Sequence, residues 1–161
     1  MNKVFLLLGS NLTDRLLMLN QAEGYIQKNI GEINTKSRIY ESAPWGFEAS
    51  TSFLNQTLII ETQLDPLEIL LEIKQIEDLL GRVKTAENYE SRTIDIDILF
   101  FNDEIIKLPQ LIIPHPQIQN RKFTLVPLAE IALKFVHPEF KKTIQDLLLD
   151  CKDESIVKIY K

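Results

Sequence analysis

Arg92-Thr93-Ile94-Asp95-Ile96-Asp97-Ile98-Leu99-Phe100-Phe101 is the stretch that decides how the rest of the chain is read. Isoleucine and phenylalanine dominate it, and neither Gly nor Pro interrupts it, so it predicts a buried strand. Strand side chains alternate between faces. Asp95 and Asp97 therefore share one face, and Ile94, Ile96, Ile98 and Phe100 share the other. Two like charges on one face of an apolar strand are costly unless a cation lies between them. A hard divalent ion suits two carboxylates, and Mg²⁺ in particular takes one or two of them together with substrate phosphates. Arg92 stands just ahead, where its fork of donors can grip a phosphate. A solvated sheet face or a pair of local salt bridges is the other reading of an Asp-x-Asp triplet.

Working back from this strand, Arg82 to Ser91 reads as a polar loop carrying Arg82, Lys84 and Tyr89. Before it, Asp65-Pro66-Leu67-Glu68 is a strong helix start, with Asp as N-cap, Pro at the first helical position and Glu at the third. That helix runs to about Leu80 and stops at Gly81, with Ile69, Ile73, Ile76 and Leu80 as its core stripe. Leu70, Lys74 and Glu77 form a neighbouring stripe, and spacing alone favours Lys74 and Glu77 as a solvated pair. Phe53 to Thr62 alternates as a strand, with Phe53, Asn55, Thr57 and Ile59 on one face. Glu41 to Ser52 has no period. Its length, with Trp45 and Phe47 inside it, favours a covering loop over a spacer. Thr35 to Tyr40 predicts a second strand. Asn11 or Thr13 caps a helix that runs to about Asn29 and is stopped by Gly31, and its apolar stripe is Leu16, Leu19, Ala22, Ile26 and Ile30. Val4 to Leu8 predicts the first strand.

Working forward, Asn102-Asp103 marks a turn and Glu104 to Lys107 a short returning strand. Leu108 to Pro116 is extended. Phe123 to Leu133 predicts a helix broken near Pro127. Thr143 to Cys151 predicts a short helix and Ser155 to Tyr160 a last strand. The core order is strand, helix, strand, strand, helix, strand. This is the split pattern of an α+β, ferredoxin-like antiparallel sheet with packed helices, here with a C-terminal extension.

The 161 residues suggest a single domain over 1–161, long enough to bury roughly 70% of its unfolded surface. With 45% apolar and 25% charged residues the composition is that of an ordinary globular protein. A formal charge of −5 argues against nucleic acid as the main partner. One cysteine, Cys151, excludes an internal disulfide and a cysteine-rich metal site, and fits a reducing cytoplasm. No apolar run reaches the length of a membrane span, and the start of the chain is too short for a signal-peptide core. No apolar stripe is left over for a partner, so a monomer is expected.

Chemistry collects around the carboxylate pair. Arg82, Lys84 and Arg92 supply the cations that phosphates need, and a metal on Asp95 and Asp97 would complete a phosphoryl clamp. Pro114-His115-Pro116 displays an imidazole on a stiffened backbone, and Arg121 and Phe123 follow. Taken singly, His115 is equally a satisfied turn residue, Arg121 a surface cation and Phe123 a core aromatic. His137 stands apart and reads as structural. There is no Gly-x-Ser-x-Gly, no Walker-type loop and no His-Glu-x-x-His. What remains is a metal-assisted transfer carried by positioning and charge neutralisation.

Motifs along nearly the whole chain resemble one family, the 6-hydroxymethyl-7,8-dihydropterin pyrophosphokinases. They are Gly9-Ser10-Asn11-Leu12, Phe53-Leu54-Asn55, Gly81-Arg82, the Arg92–Leu99 block, and Pro114-His115-Pro116 followed by Arg121-Lys122-Phe123-Thr124-Leu125 and Pro127-Leu128. The resemblance implies transfer of the pyrophosphoryl group of ATP to a reduced hydroxymethylpterin, with AMP as the other product. By this likeness Asp95 and Asp97 hold two Mg²⁺ ions bound with ATP. Arg82 and Arg92 would stabilise the transferring group, with Lys84 in support. His115 and Arg121 would contact the nucleotide, as would Leu70, Lys74, Glu77 and the backbone of Ile98. Phe53 and Phe123 would sandwich the pterin. Asn55 and the backbone around Ser42, Ala43 and Trp45 would bond its edge. The family resemblance also makes the Glu41–Ser52 and Arg82–Ser91 loops covers over the substrates. This chain departs from the usual pattern at Lys74, where a neutral residue is common, and at Glu87 and Glu90, in a loop often richer in arginine.

Two other classes compete with this reading. Another Mg-dependent phosphotransferase on the same scaffold would keep the carboxylates and lose the pterin pocket. A non-catalytic RNA-binding module would need a basic, aromatic strand, and the sequence has none.

Overall fold

The apolar run from Val4 to Leu8 lies inside the sheet with both of its faces covered, while the strand that carries Asp95 and Asp97 forms an edge of the sheet. A computed structural model describes residues 1–12, 14–43, 52–81 and 93–161. The elements are β1 (Asn2–Ser10), α1 (Arg15–Asn29), β2 (Glu32–Lys36), β3 (Tyr40–Ser42), β4 (Phe53–Thr62), α2 (Pro66–Leu79), β5 (Asp95–Phe101), β6 (Ile106–Leu108), β7 (Leu111–Ile113), α3 (Lys122–Ala132), α4 (Ile144–Asp150) and β8 (Val157–Ile159). A 3-10 turn at Ile118–Asn120 precedes α3.

The main sheet runs β5-β1-β4-β3-β8, and β2 also pairs with β4. Its pairings are antiparallel. This is the ferredoxin-like α+β arrangement. Val4 to Leu8 are all buried, since helices or helix-bearing segments lie on both faces. On one face α1 and α2 set Leu19, Ile26, Ile69, Ile73 and Ile76 against Val4, Leu6, Leu8, Leu54 and Ile96. On the other, α3 and α4 set Leu125, Leu128, Ile144 and Leu147 against Phe5, Leu7, Ile59 and Phe100. One end of the sheet carries Gly9, Asn55, Asp95 and Asp97 in place of apolar side chains; Asn55 is buried there and the two carboxylates are half-buried.

Local signals set most boundaries. At α2 the Asp65 carboxylate accepts the Glu68 N–H while the Glu68 carboxylate accepts the Asp65 N–H, with Pro66 beginning the helix. Gly81 then adopts φ +89°, which favours glycine after a helix. Thr143 caps α4 through the Asp146 N–H.

Several sequence expectations are corrected. The cap of α1 is Asp14, whose carboxylate accepts the Leu17 N–H at 3.1 Å, not Asn11; Thr13 lies outside the described residues. Leu16 of the expected core stripe is exposed. The strand expected over 35–40 is two strands, β2 and β3. Ser37 separates them, its Oγ accepting the Thr57 N–H and donating to the Arg38 carbonyl. The unpatterned stretch from Glu41 therefore starts inside β3, and residues 44–51 lie outside the described residues. β5 begins at Asp95, not Arg92. Its strict alternation fails at one point: Leu6 pairs with Ile98 but Phe5 pairs with Phe100, so Leu99 is an extra residue. The bulge moves Phe100 to the α3 face, away from Ile94, Ile96 and Ile98. The expected 104–107 strand is β6, which forms a hairpin with β7 inside the segment expected to be merely extended. α3 is not broken at Pro127. It continues through the proline without the bond that residue cannot donate. His137 is structural as expected, with Nδ1 accepting the Glu139 and Phe140 N–H groups.

Candidate active site

Strand register builds the site. One row crosses the sheet from Asp95 through Gly9 to Asn55 and Tyr40, and the next runs from Asp97 through Leu7 to Thr57. Side chains in these rows face the α3 side, as Leu7 does. Gly9 lowers the floor between the carboxylate and the amide. A Cβ there would stand 3.2 Å from Asn55 Oδ1 and 3.7 Å from Phe53 Cδ1. Asn55 is buried, and its Nδ2 donates to the buried Ser42 Oγ at 2.7 Å. That bond turns Oδ1 toward Gly9, where it can accept from a ligand. Phe53 is half-buried on the same floor. Ala43 follows Ser42 and is exposed.

The bulge in β5 also places the histidine. The Leu99 carbonyl accepts the His115 N–H at 3.0 Å. His115 Nδ1 accepts the Gln117 N–H at 3.1 Å, which leaves Nε2 as the protonated nitrogen. Nε2 lies 3.9 Å from Asp97 Oδ2. Burial, joined by the Arg121 guanidinium and opposed by Asp95, pushes the imidazole down to about 4, so it is neutral at pH 7. Arg121 precedes α3, and its guanidinium lies over the Phe123 ring, 5.7 Å from the centroid. Phe123 packs at the margin of the α3 core, on the same face of the sheet as Phe53.

Glu77 is corrected. It is buried, 4% exposed, and its Oε2 accepts the Ile96 N–H at 3.0 Å on the outer edge of β5. It is no member of a solvated pair, although Lys74 is exposed. Ile98, two residues further along β5, presents its N–H and C=O to that same edge. Leu70 is half-buried against the α2 core. The structure thus gathers Asp95, Asp97, His115, Asn55, Ser42 and Phe53 about one end of the sheet, while Glu77 and Ile98 share one strand edge. Trp45, Arg82, Lys84 and Arg92 lie outside the described residues.

Sequence reasoning missed three supports. Gly9 enters the sequence reading only within the Gly9-Ser10-Asn11-Leu12 motif, with no place in the floor of the site. Ser10 donates to the Thr93 carbonyl and so anchors the approach to Asp95. Glu130 of α3 accepts from the Tyr40 hydroxyl and from Arg38, tying β3 to the second layer. Partial burial raises the Glu130 carboxyl, but these bonds outweigh it and hold it below its ordinary range. Nothing in local sequence marks such a long-range partner.

Two strand carboxylates are a donor set for a hard cation that completes its shell with phosphate oxygens. By their chemistry the Asp95 and Asp97 carboxylates fit a hard divalent ion held jointly with a phosphorylated substrate.

A family model described as 7,8-dihydro-6-hydroxymethylpterin-pyrophosphokinase (HPPK) matches residues 5–133. The chain belongs to this family. Curated HPPK relatives include the 2-amino-4-hydroxy-6-hydroxymethyldihydropteridine pyrophosphokinase of Aquifex aeolicus, 40% identical over 91% of this chain and 90% of that one. The enzyme of the same name from Bacillus subtilis is 44% identical over 81% of this chain and 78% of that one. Among solved structures, a wild-type Plasmodium falciparum HPPK-DHPS with pteroate matches 92% of this chain and 44% of its own, with a TM-score of 0.75 and 21% identity. An HPPK-DHPS in complex with substrates matches 92% and 43%, with a TM-score of 0.73 and 18% identity. This chain spans less than half the length of those solved chains, and the likeness to them is one of fold.

Proposed function

We propose that this chain transfers the β,γ-pyrophosphoryl group of ATP to the hydroxymethyl oxygen of 6-hydroxymethyl-7,8-dihydropterin, in folate synthesis. Membership of the HPPK family gives the reaction class. The observation that carries the site reading is the row Asp95–Gly9–Asn55. Asn55 and Asp95 sit two strands apart, about 10 Å, with a glycine floor between. A flat acceptor lying on that floor, bonded at one end by Asn55, points its hydroxymethyl arm at the carboxylates.

The acceptor oxygen bonds to the β-phosphorus. The bond from that phosphorus to the oxygen shared with the α-phosphate breaks. AMP leaves, and the hydroxyl proton is released. Asn55 Oδ1 accepts from the amino edge of the pterin, with the backbone at Ser42, Ala43 and Trp45 in support. Phe53 and Phe123 stack on its faces, which suits a flat heterocycle. His115 donates through Nε2 to a phosphate oxygen, and its neutrality leaves the carboxylates' charge intact. Arg121 contacts the nucleotide from its place over Phe123. Leu70, Lys74, Glu77 and the Ile98 backbone form the nucleotide side. Arg82 and Arg92 stabilise the transferring group, with Lys84 in support. Asp95 and Asp97 would hold two Mg²⁺ ions bound with ATP, which would supply charge neutralisation on the phosphates. The protein works as a cytoplasmic monomer of one domain over 1–161. No helix among the described residues is long and apolar enough to cross a membrane.

A product assay with ATP, Mg²⁺ and the reduced hydroxymethylpterin tests this. AMP formed in step with the pterin diphosphate is the expected result. ADP, or turnover unaffected by chelating the metal, would overturn the reaction or the metal assignment respectively.

A further inference from the structure

Arg15 occupies a position that helix electrostatics disfavour. It is the first residue of α1, where the helix dipole presents partial positive charge, and the first turn holds no acidic residue. A local rule broken in this way marks a side chain engaged elsewhere. Arg15 Nη1 donates to Glu41 Oε2 at 2.8 Å and to the Ser52 carbonyl at 2.9 Å. Its guanidinium also lies over the Tyr160 ring, 5.7 Å from the centroid. The Tyr160 N–H in turn donates to the Ile39 carbonyl at 2.8 Å.

These contacts converge on the last rung of the β3–β4 ladder, where Ser42 pairs with Phe53. Glu41 precedes Ser42, and Ser52 precedes Phe53. The rung is terminal: β3 ends at Ser42 and β4 begins at Phe53. Terminal rungs fray unless something holds both strands. Glu41 pairs with Leu54, on the α1 side of the sheet, while Ser42, Phe53 and Asn55 face the other side. Arg15 thus grips from beneath the sheet the strand ends that form the acceptor pocket above it. The pair is partly shielded, at 22% and 25% side-chain exposure, which favours a charge-assisted bond over a fully solvated one.

We infer that Arg15 is a positioning residue for the acceptor pocket. By fixing the Ser42–Phe53 rung it sets the Phe53 ring and the Asn55–Ser42 bond, and so the affinity for the flat acceptor. Binding of ATP, whose residues come from β5, α2 and the segment around His115, does not depend on it. This rests on the pyrophosphokinase reading above.

Steady-state kinetics of Arg15→Met, Arg15→Lys and Glu41→Gln against wild type test the inference, with each substrate varied at saturation of the other. Arg15→Met keeps the apolar stem and raises KM for the hydroxymethyldihydropterin about tenfold, while kcat and KM for ATP stay within about twofold. Arg15→Lys restores most of the loss, because one ammonium can donate to both oxygens. Glu41→Gln keeps an acceptor without the charge, and raises the same KM about threefold; it stands in should Arg15→Met fail to fold. Unchanged pterin KM in the folded variants would overturn the inference and leave the reaction intact. So would a parallel rise in both KM values with a lowered thermal midpoint that Arg15→Lys does not repair, since that is general loosening. A wild-type protein that turns over no pterin would defeat the underlying reading and this inference together.

Discussion

The Glu77 carboxylate of α2 accepts the Ile96 N–H of β5 at 3.0 Å, closing a backbone donor on the outer edge of the sheet. Glu77→Ala leaves that buried donor without this acceptor and is expected to cost about 1–3 kcal/mol. Glu77→Gln keeps an oxygen in place and costs less than about 1 kcal/mol. Urea unfolding of the two variants compares them directly. Equal losses would remove the hydrogen bond as the reason for the burial of Glu77.

Asp95→Asn and Asp97→Asn each remove a charge proposed to hold metal. Each is expected to lower kcat by about a hundredfold or more. The thermal midpoint without metal should hold or rise, because two like charges on one face no longer repel. Turnover near the wild-type value in a folded variant would exclude that residue as a metal ligand.

Gly9→Ala adds a methyl group 3.2 Å from Asn55 Oδ1. The amide must give by a few tenths of an ångström, and the floor rises under the acceptor. Binding of a dihydropterin analogue should weaken about tenfold, with unfolding free energy changed by about 1 kcal/mol or less. Calorimetric titration measures the first quantity. An unaltered affinity would place the pterin elsewhere.

His137 carries a pH prediction. Burial lowers its imidazole below the ordinary 6.5, with Glu139 opposing. Its Nδ1 accepts two backbone N–H groups, and its ring stacks on Phe140, 4.3 Å between centroids. Above pH 6.5 both folded and unfolded states are neutral, so this residue contributes no slope. As pH falls below 6.5 the unfolded chain takes up the proton first, and stability declines until the folded-state value is reached. His137→Asn keeps an acceptor for the backbone and should flatten that part of the slope. Unfolding free energies of both proteins across pH 7 to 5, without metal, give the difference; identical slopes would contradict the assignment.

Elements whose cause is local were legible in advance. β4 runs over Phe53–Thr62 as its alternation predicts, and the capping box at Asp65 and Glu68 opens α2. The last strand and α4 were also foreseen, because caps and alternation act over a few residues. Phe100 was assigned to the wrong face because the Leu99 bulge exists only in the register of β5 against β1. Glu77 was misread because a charged residue beside Lys74 on a helix has the spacing of a surface pair, whatever strand edge comes to meet it.

By itself the sequence determined the fold class, the carboxylate pair with its shared face, and the family to which the chain belongs. These depend on residue type and near-neighbour spacing. Only the tertiary structure decided that Asp95, Gly9 and Asn55 stand in one row. It likewise decided that Leu99 offers its carbonyl to His115, and that Arg15 holds both Glu41 and Ser52. Those relations join residues 16 to 86 positions apart, and one of them depends on a bulge in register. Their geometry follows from how the whole sheet and its two layers pack, which no short stretch of the chain specifies.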